Sequence, residues 1–325
     1  MRIKVGPEGD YTTISEAIEA AGYETETVIE IAAGVYKEKL FIEKSNITLI
    51  GSGRRRTIIE YGDGAEETMP DGTRRGTFRS QTVFLGGKRC VVKDMTIRNT
   101  AGSGDTAGQA LALYADASKV VMENVELSSH QDTLFMAPLP IKTRHPGGFM
   151  GPRFLADRKP TRQYYRNCII RGDVDFIFGG ADAVFDDCEI IVCDRGRDIN
   201  GYVVAPCENP GEIGFVFRHC VVRGELSDMN GTVLLGRPWR PTGRAVYAEC
   251  RYDESIHPLR FSEWGQLEAD ESEAFFAEYK PTDLNGEPID ISGKNGFVKL
   301  LDDAEYEKIR TGADKLVNDL WSQEE

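Results

Sequence analysis

The chain has only four histidines, His130, His145, His219 and His257, and no two stand at the spacing of metal ligands. It has no G-x-S-x-G elbow, so serine-hydrolase chemistry lacks its nucleophile turn. Its seven cysteines, odd in number and scattered, form no disulfide framework. No apolar run approaches the ~18 residues of a membrane helix. No basic segment followed by an apolar one opens the chain, so no secretory signal is read. A cytoplasmic location is the expectation, with a processed secreted chain as the alternative. Positive charge is scarce: 39 Lys and Arg against 53 Asp and Glu leave a net charge of -14. That argues against nucleic acid, and against a dense polyanion as the main ligand. Neither nucleic acid nor a membrane is an expected partner.

What the sequence does have is a short unit that returns. "SNITLIG" at 45, "KDMTIRN" at 93, "ENVELSS" at 123, "RNCIIRG" at 166, "DDCEIIV" at 186, "RHCVVRG" at 218 and "AECRYDE" at 248 share one pattern. A polar residue precedes a small or apolar one, then any residue, then usually an aliphatic, the period-two alternation of a strand. Met95, Val125, Cys168, Cys188, Cys220 and Cys250 are then equivalent, at separations of 30, 43, 20, 32 and 30 residues. Strand-sized units at such spacing indicate a solenoid or a propeller. The uneven spacing and the missing tryptophan-aspartate signature exclude a propeller, and no leucine-rich pattern is present. An all-β parallel β-helix remains, with coils of unequal length because surface turns accept insertions.

The four cysteines of that column are expected to stack inside as core residues rather than hold a metal. "TTISEAIEAAG" (12–22) reads as an amphipathic helix with a Thr or Ser cap, placed to cover the open end of the stack. The tail from about 266, including "SEAFFAEY" and "DAEYEKIRTGADKLVNDLW", reads as loops and helices against the other end or flank. One domain over 1–325 is expected, with its cap at about 10–22 and its helical tail at about 266–325.

Polar groups embedded in apolar runs are the candidates for chemistry. Asp175 lies inside "GDVDFIFGGADAVFDDCEI", where an unused carboxylate would cost stability. Gln109 precedes the apolar run of "GQALALYAD", Gln131 and Asp132 follow a strand in "SHQDTLF", and "LLGRPWR" supplies Arg237 and Trp239. Nearby coils would bring these onto one face. An ionised carboxylate can attack a carbonyl held close to it, and a second carboxyl that keeps its proton can act as general acid. Amide NH2 groups can stabilise an oxyanion, and an arginine fork can aim the nucleophile. Taken singly, each residue has an ordinary structural explanation as a turn former or a surface group.

Together, "GVYKEKL", "TFRSQTV", "GQALAL", "HQDTLF", "DFIFGGADAVFDDC", "LGRPW" and "FFAEYK" resemble, in order, the pectin methylesterases of the β-helical carbohydrate esterase family. The resemblance implies a right-handed helix and removal of methyl esters from galacturonan or its oligomers, with no metal or organic cofactor. It implies Asp175 as nucleophile, Asp132 as general acid and then base, Gln131 and Gln109 as oxyanion donors, and Arg237 as the partner of the nucleophile. Trp239, Phe135 and Phe178 would contact the sugar. A non-catalytic pectic oligosaccharide binder is the alternative, but it needs the aromatics without the paired acids. A calcium-dependent lyase would want a compact acidic cluster aligned with these motifs, and none is present.

Two departures from the family's pattern stand out. Asp173 occupies a position where family members often carry Thr, and it is expected to be a turn residue facing solvent. His130 is expected at the surface. Residues 136–161 are longer than the usual connection and carry Arg144, Arg153, Arg158 and Lys159, with Arg162 just beyond. This basic segment is expected to cover one end of the cleft and meet carboxylates of the substrate.

Overall fold

A computed structural model describes residues 1–207, 213–265 and 273–321. Every strand pair between named strands is parallel, and successive strands visit three sheets of eleven, seven and nine strands in turn. The result is a parallel β-helix, right-handed as parallel crossovers are. Parallel strands buried on both faces read as near-continuous apolar runs. That is why the seven-stranded sheet, which includes Leu113–Ala115, Leu134–Met136, Val174–Gly179, Gly201–Pro206 and Val233–Gly236, shows little alternation.

The repeated unit corresponds to the corner between the eleven- and nine-stranded sheets. Thr96, Glu126, Ile169, Glu189, Val221 and Arg251 pair in register, so the preceding Met95, Val125, Cys168, Cys188, Cys220 and Cys250 form one buried column. All seven cysteines are free thiols. The polar residue before each column member has φ near +55°, from Asp94 through Asn124, Asn167, Asp187 and His219 to Glu249. Polar side chains are favoured there because Asn and Asp tolerate the left-handed region. "SNITLIG" does not belong to this column: Ile47 pairs with Cys90 in the eleven-stranded sheet. A second column, Tyr165, Phe185, Phe217 and Tyr247, stacks at 4.4–4.6 Å with planes within 10°. Each such pair contributes roughly 0.5–1.5 kcal/mol beyond its burial.

The N-terminal helix spans Ile14–Ala20, with Thr13 and Glu16 forming a capping box and Ile14, Ala17 and Ile18 buried in the main core. It packs on the first strands, as expected of a cap. Of the tail, residues 266–272 and 322–325 lie outside the described residues. Phe275–Tyr279 is a strand of the eleven-stranded sheet, not loop or helix, because Phe276 continues the interior while Tyr279 faces outward. The helix Asp303–Trp321 lies along the flank, with Ala313, Leu316 and Leu320 against Val91, Val121, Tyr164, Val184 and Val216. Among the described residues no helix is long and apolar enough to cross a membrane.

Candidate active site

The seven-stranded sheet breaks strand geometry at the same place in two adjacent coils. Asp132 has φ +65° and Asp175 φ +51°, and the pairing beyond Asp175 is irregular between Val174 and Ile177. Aspartate is among the few side chains that accept this region, though at a cost in strain. After each aspartate two residues turn inward, Thr133 and Leu134 or Phe176 and Ile177, before an outward phenylalanine. Leu134 pairs with Ile177 and Phe135 with Phe178, so Asp132 and Asp175 occupy matching positions on the outer face. Asp132 N donates to Val174 O at 3.1 Å, locking the two segments together.

One cleft of about 260 Å³ is lined by Gln109, Gln131, Asp132, Asp175, Phe178, Arg237 and Trp239. Seven of the eight side chains singled out in the sequence therefore meet. Arg237 follows Gly236, two coils away, and grips Asp175 with both arms of its fork: Nε donates to Oδ1 at 2.9 Å and Nη2 to Oδ2 at 2.8 Å. Gln131 packs beside Gly104, where a Cβ would stand 2.7 Å from Oε1, so the glycine leaves space for the amide.

Phe135 is the exception, being fully buried. It belongs to an outer aromatic row with Tyr114 and Phe178, at 4.7 and 5.0 Å, and Phe78 lies over it at 4.9 Å. It supports the floor without reaching the cleft. In the next coil Ala205 continues the row, and Trp239 stands in the space, 5.6 Å from Phe178.

Burial pushes the pKa of both aspartates up. At Asp132 it dominates, and the charge of Asp175 adds to it, so its carboxyl is held well above the usual range. At Asp175 burial also leads, but the Arg237 charge and hydrogen bonds oppose it. The order of ionisation follows: Asp175 loses its proton first because the fork favours its anion. Of the two, Asp175 is the better placed to carry the negative charge and Asp132 to keep its proton.

Asp173 does not face solvent; it is 1% exposed. Its Oδ2 meets His130 Nδ1 at 3.1 Å, and its Oδ1 accepts from Val174 N at 2.7 Å. The half-buried His130, not an arginine, is the partner, because Arg171 pairs with Glu225. That hydrogen bond raises the His130 pKa against burial. The pair bridges the coil that carries Asp132 to the one that carries Asp175.

Sequence reasoning missed several cleft residues. Trp264 lines the cleft and packs on the guanidinium of Arg237, as does Tyr202 from outside that lining, with Cζ 4.4 and 3.8 Å from the ring centres. Both are lone aromatics with no sequence signal. Thr77 and Phe78 also line the cleft, and they lie within "TFRSQTV", one of the stretches that carry the family resemblance. The basic segment lines part of the cleft, touching it near Trp239, and also reaches away to Asp116 and Glu43.

Comparison with known proteins places this geometry. The sequence pattern of the family described as Pectinesterase matches residues 3–139 and 158–300. A pectinesterase of Petunia integrifolia is 32% identical over 283 residues, 84% of this chain and 67% of that protein. A probable pectinesterase/pectinesterase inhibitor of Arabidopsis thaliana is 31% identical over 297 residues, and the match spans 85% of this chain but 44% of that relative. The solved pectin methylesterase from carrot superposes with a TM-score of 0.77 at 27% identity, covering 99% of this chain and 97% of that one.

Proposed function

The chain belongs to the pectinesterase family, and from that premise we propose that it hydrolyses methyl esters of galacturonate residues, releasing methanol. One observation carries the reading: a buried aspartate held by an arginine fork shares a cleft with a second, more strongly pKa-raised aspartate and two primary amides. Asp175 attacks the C6 carbonyl, and its Oδ forms the new bond while the carbonyl electrons move to oxygen. The NH2 groups of Gln109 and Gln131 hold that oxyanion. Asp132 gives its proton to the departing methoxide, and methanol leaves an acyl-enzyme anhydride. Asp132, now ionised, takes a proton from water, which attacks the anhydride and restores both carboxyl groups. Trp239 and Phe178 offer faces to the sugar. The seven free thiols suit a reducing compartment.

A methanol-release assay on methylated galacturonate oligomers and on pectin tests this directly. Methanol alone is expected; new reducing ends or unsaturated uronate would indicate glycosidase or lyase chemistry instead.

The raised pKa of Asp132 gives a second expectation. Above its unfolded value of ~3.9 the folded chain holds this proton more tightly than the unfolded chain. Stability is therefore lost as pH rises from there through the raised folded value. Asp132→Asn removes that penalty. Its Tm should exceed the wild type's at neutral pH and converge with it below about pH 4. Methanol release should fall by about 10²–10⁴-fold. A Tm difference that does not change with pH would remove burial of the charge as the cause.

A further inference from the structure

Residues 140–157 are the internal stretch that the family pattern leaves unmatched. Five of them, Thr143, Arg144, His145, Gly148 and Phe149, nevertheless line the cleft. The segment is strapped down at several points. Arg240 Nη2 donates to Lys142 O at 2.7 Å, and Phe149 is buried 5.8 Å from Phe78 and 6.1 Å from Trp239. Gly151 lies so close to Phe78 that a Cβ would stand 2.4 Å from its carbonyl oxygen. Arg153 reaches Asp116 at 2.5 Å, Glu43 at 3.0 Å and Gly86 O at 3.0 Å. The part of the wall most particular to this chain is thus held in a defined place.

We propose that Arg144, carried into the cleft by this segment, is a specificity determinant that receives a free carboxylate on a sugar beside the reacting ester. The proposal rests on the pectinesterase reading. The segment's other arginine, Arg153, is committed to Asp116 and Glu43, and Arg158 just beyond it to the carbonyls of Arg153, Phe154 and Ala156. Arg144 is different. Its Nη2 donates to Trp239 O at 2.7 Å and its Cζ lies 4.6 Å from the Trp264 ring centre, so the guanidinium is fixed in plane and direction. Among the described residues no carboxylate pairs with it. The same Trp264 ring carries Arg237, at 4.4 Å, so this cation and the fork that holds Asp175 share one indole. Its charge reaches the site, being among those that lower the pKa of Asp175 against burial.

The chemistry of the ligand follows from the polymer. Each galacturonate has one C6 carboxyl group, either esterified or ionised. With one ester at Asp175, the anions that such a substrate can present nearby are the C6 carboxylates of adjoining sugars. A planar guanidinium with donors to spare matches a carboxylate. In a chain of net charge -14, a local cation also offsets repulsion that would otherwise weaken binding of a partly de-esterified chain.

Three trigalacturonates test the assignment: one fully methyl-esterified, one esterified only on the central sugar, and one fully de-esterified. Arg144→Gln should lower the ratio of kcat/KM for the central-ester trimer to that for the fully esterified one. The expected change is about three- to tenfold, carried mainly by KM. Arg144→Lys should restore part of the ratio, since it keeps the charge and loses the fork. By calorimetry, the Kd of the de-esterified trimer should rise by a similar factor in Arg144→Gln, and the gap between variants should shrink in high salt. An unchanged ratio and an unchanged Kd in Arg144→Gln overturn the proposal. If the wild type releases methanol from neither ester, the esterase reading fails by itself, and the calorimetric result still decides the role of Arg144.

Discussion

Asp175→Asn is expected to lower methanol release by at least about 10³-fold while the chain stays folded. The substitution preserves shape but removes the anion that attacks the ester, and an amide oxygen is far less nucleophilic than a carboxylate. The fold should survive because Asp175 points to the outer face, away from the main core formed by Phe176 and Ile177. Circular dichroism and a cooperative melt check the fold, and gas chromatography of methanol checks the chemistry. The arginine fork would then face a neutral amide, so Arg237 loses its charge partner but keeps its stacking on Tyr202 and Trp264. Activity within a fewfold of the wild type in a folded Asp175→Asn protein would exclude Asp175 as nucleophile.

Glu278→Ala is expected to destabilise the protein by about 3–5 kcal/mol, the largest stability effect anticipated. Glu278 is fully buried and Arg260 is 4% exposed. Nε of Arg260 donates to Oε2 at 2.8 Å and Nη2 to Oε1 at 2.6 Å. Tyr247 pairs with Glu278, so the glutamate occupies the position after the stacked aromatic column, where an apolar residue would be expected. Truncating it strands a buried guanidinium, whose desolvation the Tyr252 ring, 4.4 Å from Cζ, only partly offsets. Replacing both residues with methionine should recover most of the loss, because an apolar pair of similar volume needs no compensation. Denaturant unfolding of the two single variants and the double variant measures this directly. A Glu278→Ala loss below about 1 kcal/mol would show that water or rearrangement reaches Arg260.

The same buried pair shows where sequence reasoning stops. "FFAEYK" was read as loop or helix because a glutamate between Ala277 and Tyr279 breaks the apolar run of an inner strand. The arginine that allows it there lies 18 residues earlier, and nothing local connects them. Asp173 was misplaced for a related reason. Its neighbourhood suggested a turn, but the imidazole that lets it be buried comes from the preceding coil, 43 residues away. The family resemblance implies a cleft position for both Phe135 and Phe178, each three residues past an aspartate. Phe78, from a distant loop, covers Phe135 at 4.9 Å, whereas Phe178, though also buried, belongs to the cleft lining.

The sequence by itself determined the coil architecture and the identity of seven cleft residues. The interior of a parallel β-helix repeats with the chain, so the Met95-to-Cys250 column is a one-dimensional signal visible as spacing. The aspartates, glutamines and arginine stood out because polar groups inside apolar runs need a reason to be there. Only the tertiary structure decided which acid ionises first, which aromatics stay reachable, and which cation of the 136–161 segment faces the cleft. Those properties depend on burial and on partners supplied by other coils and loops. Charge and access are set by three-dimensional neighbours, which linear spacing does not encode.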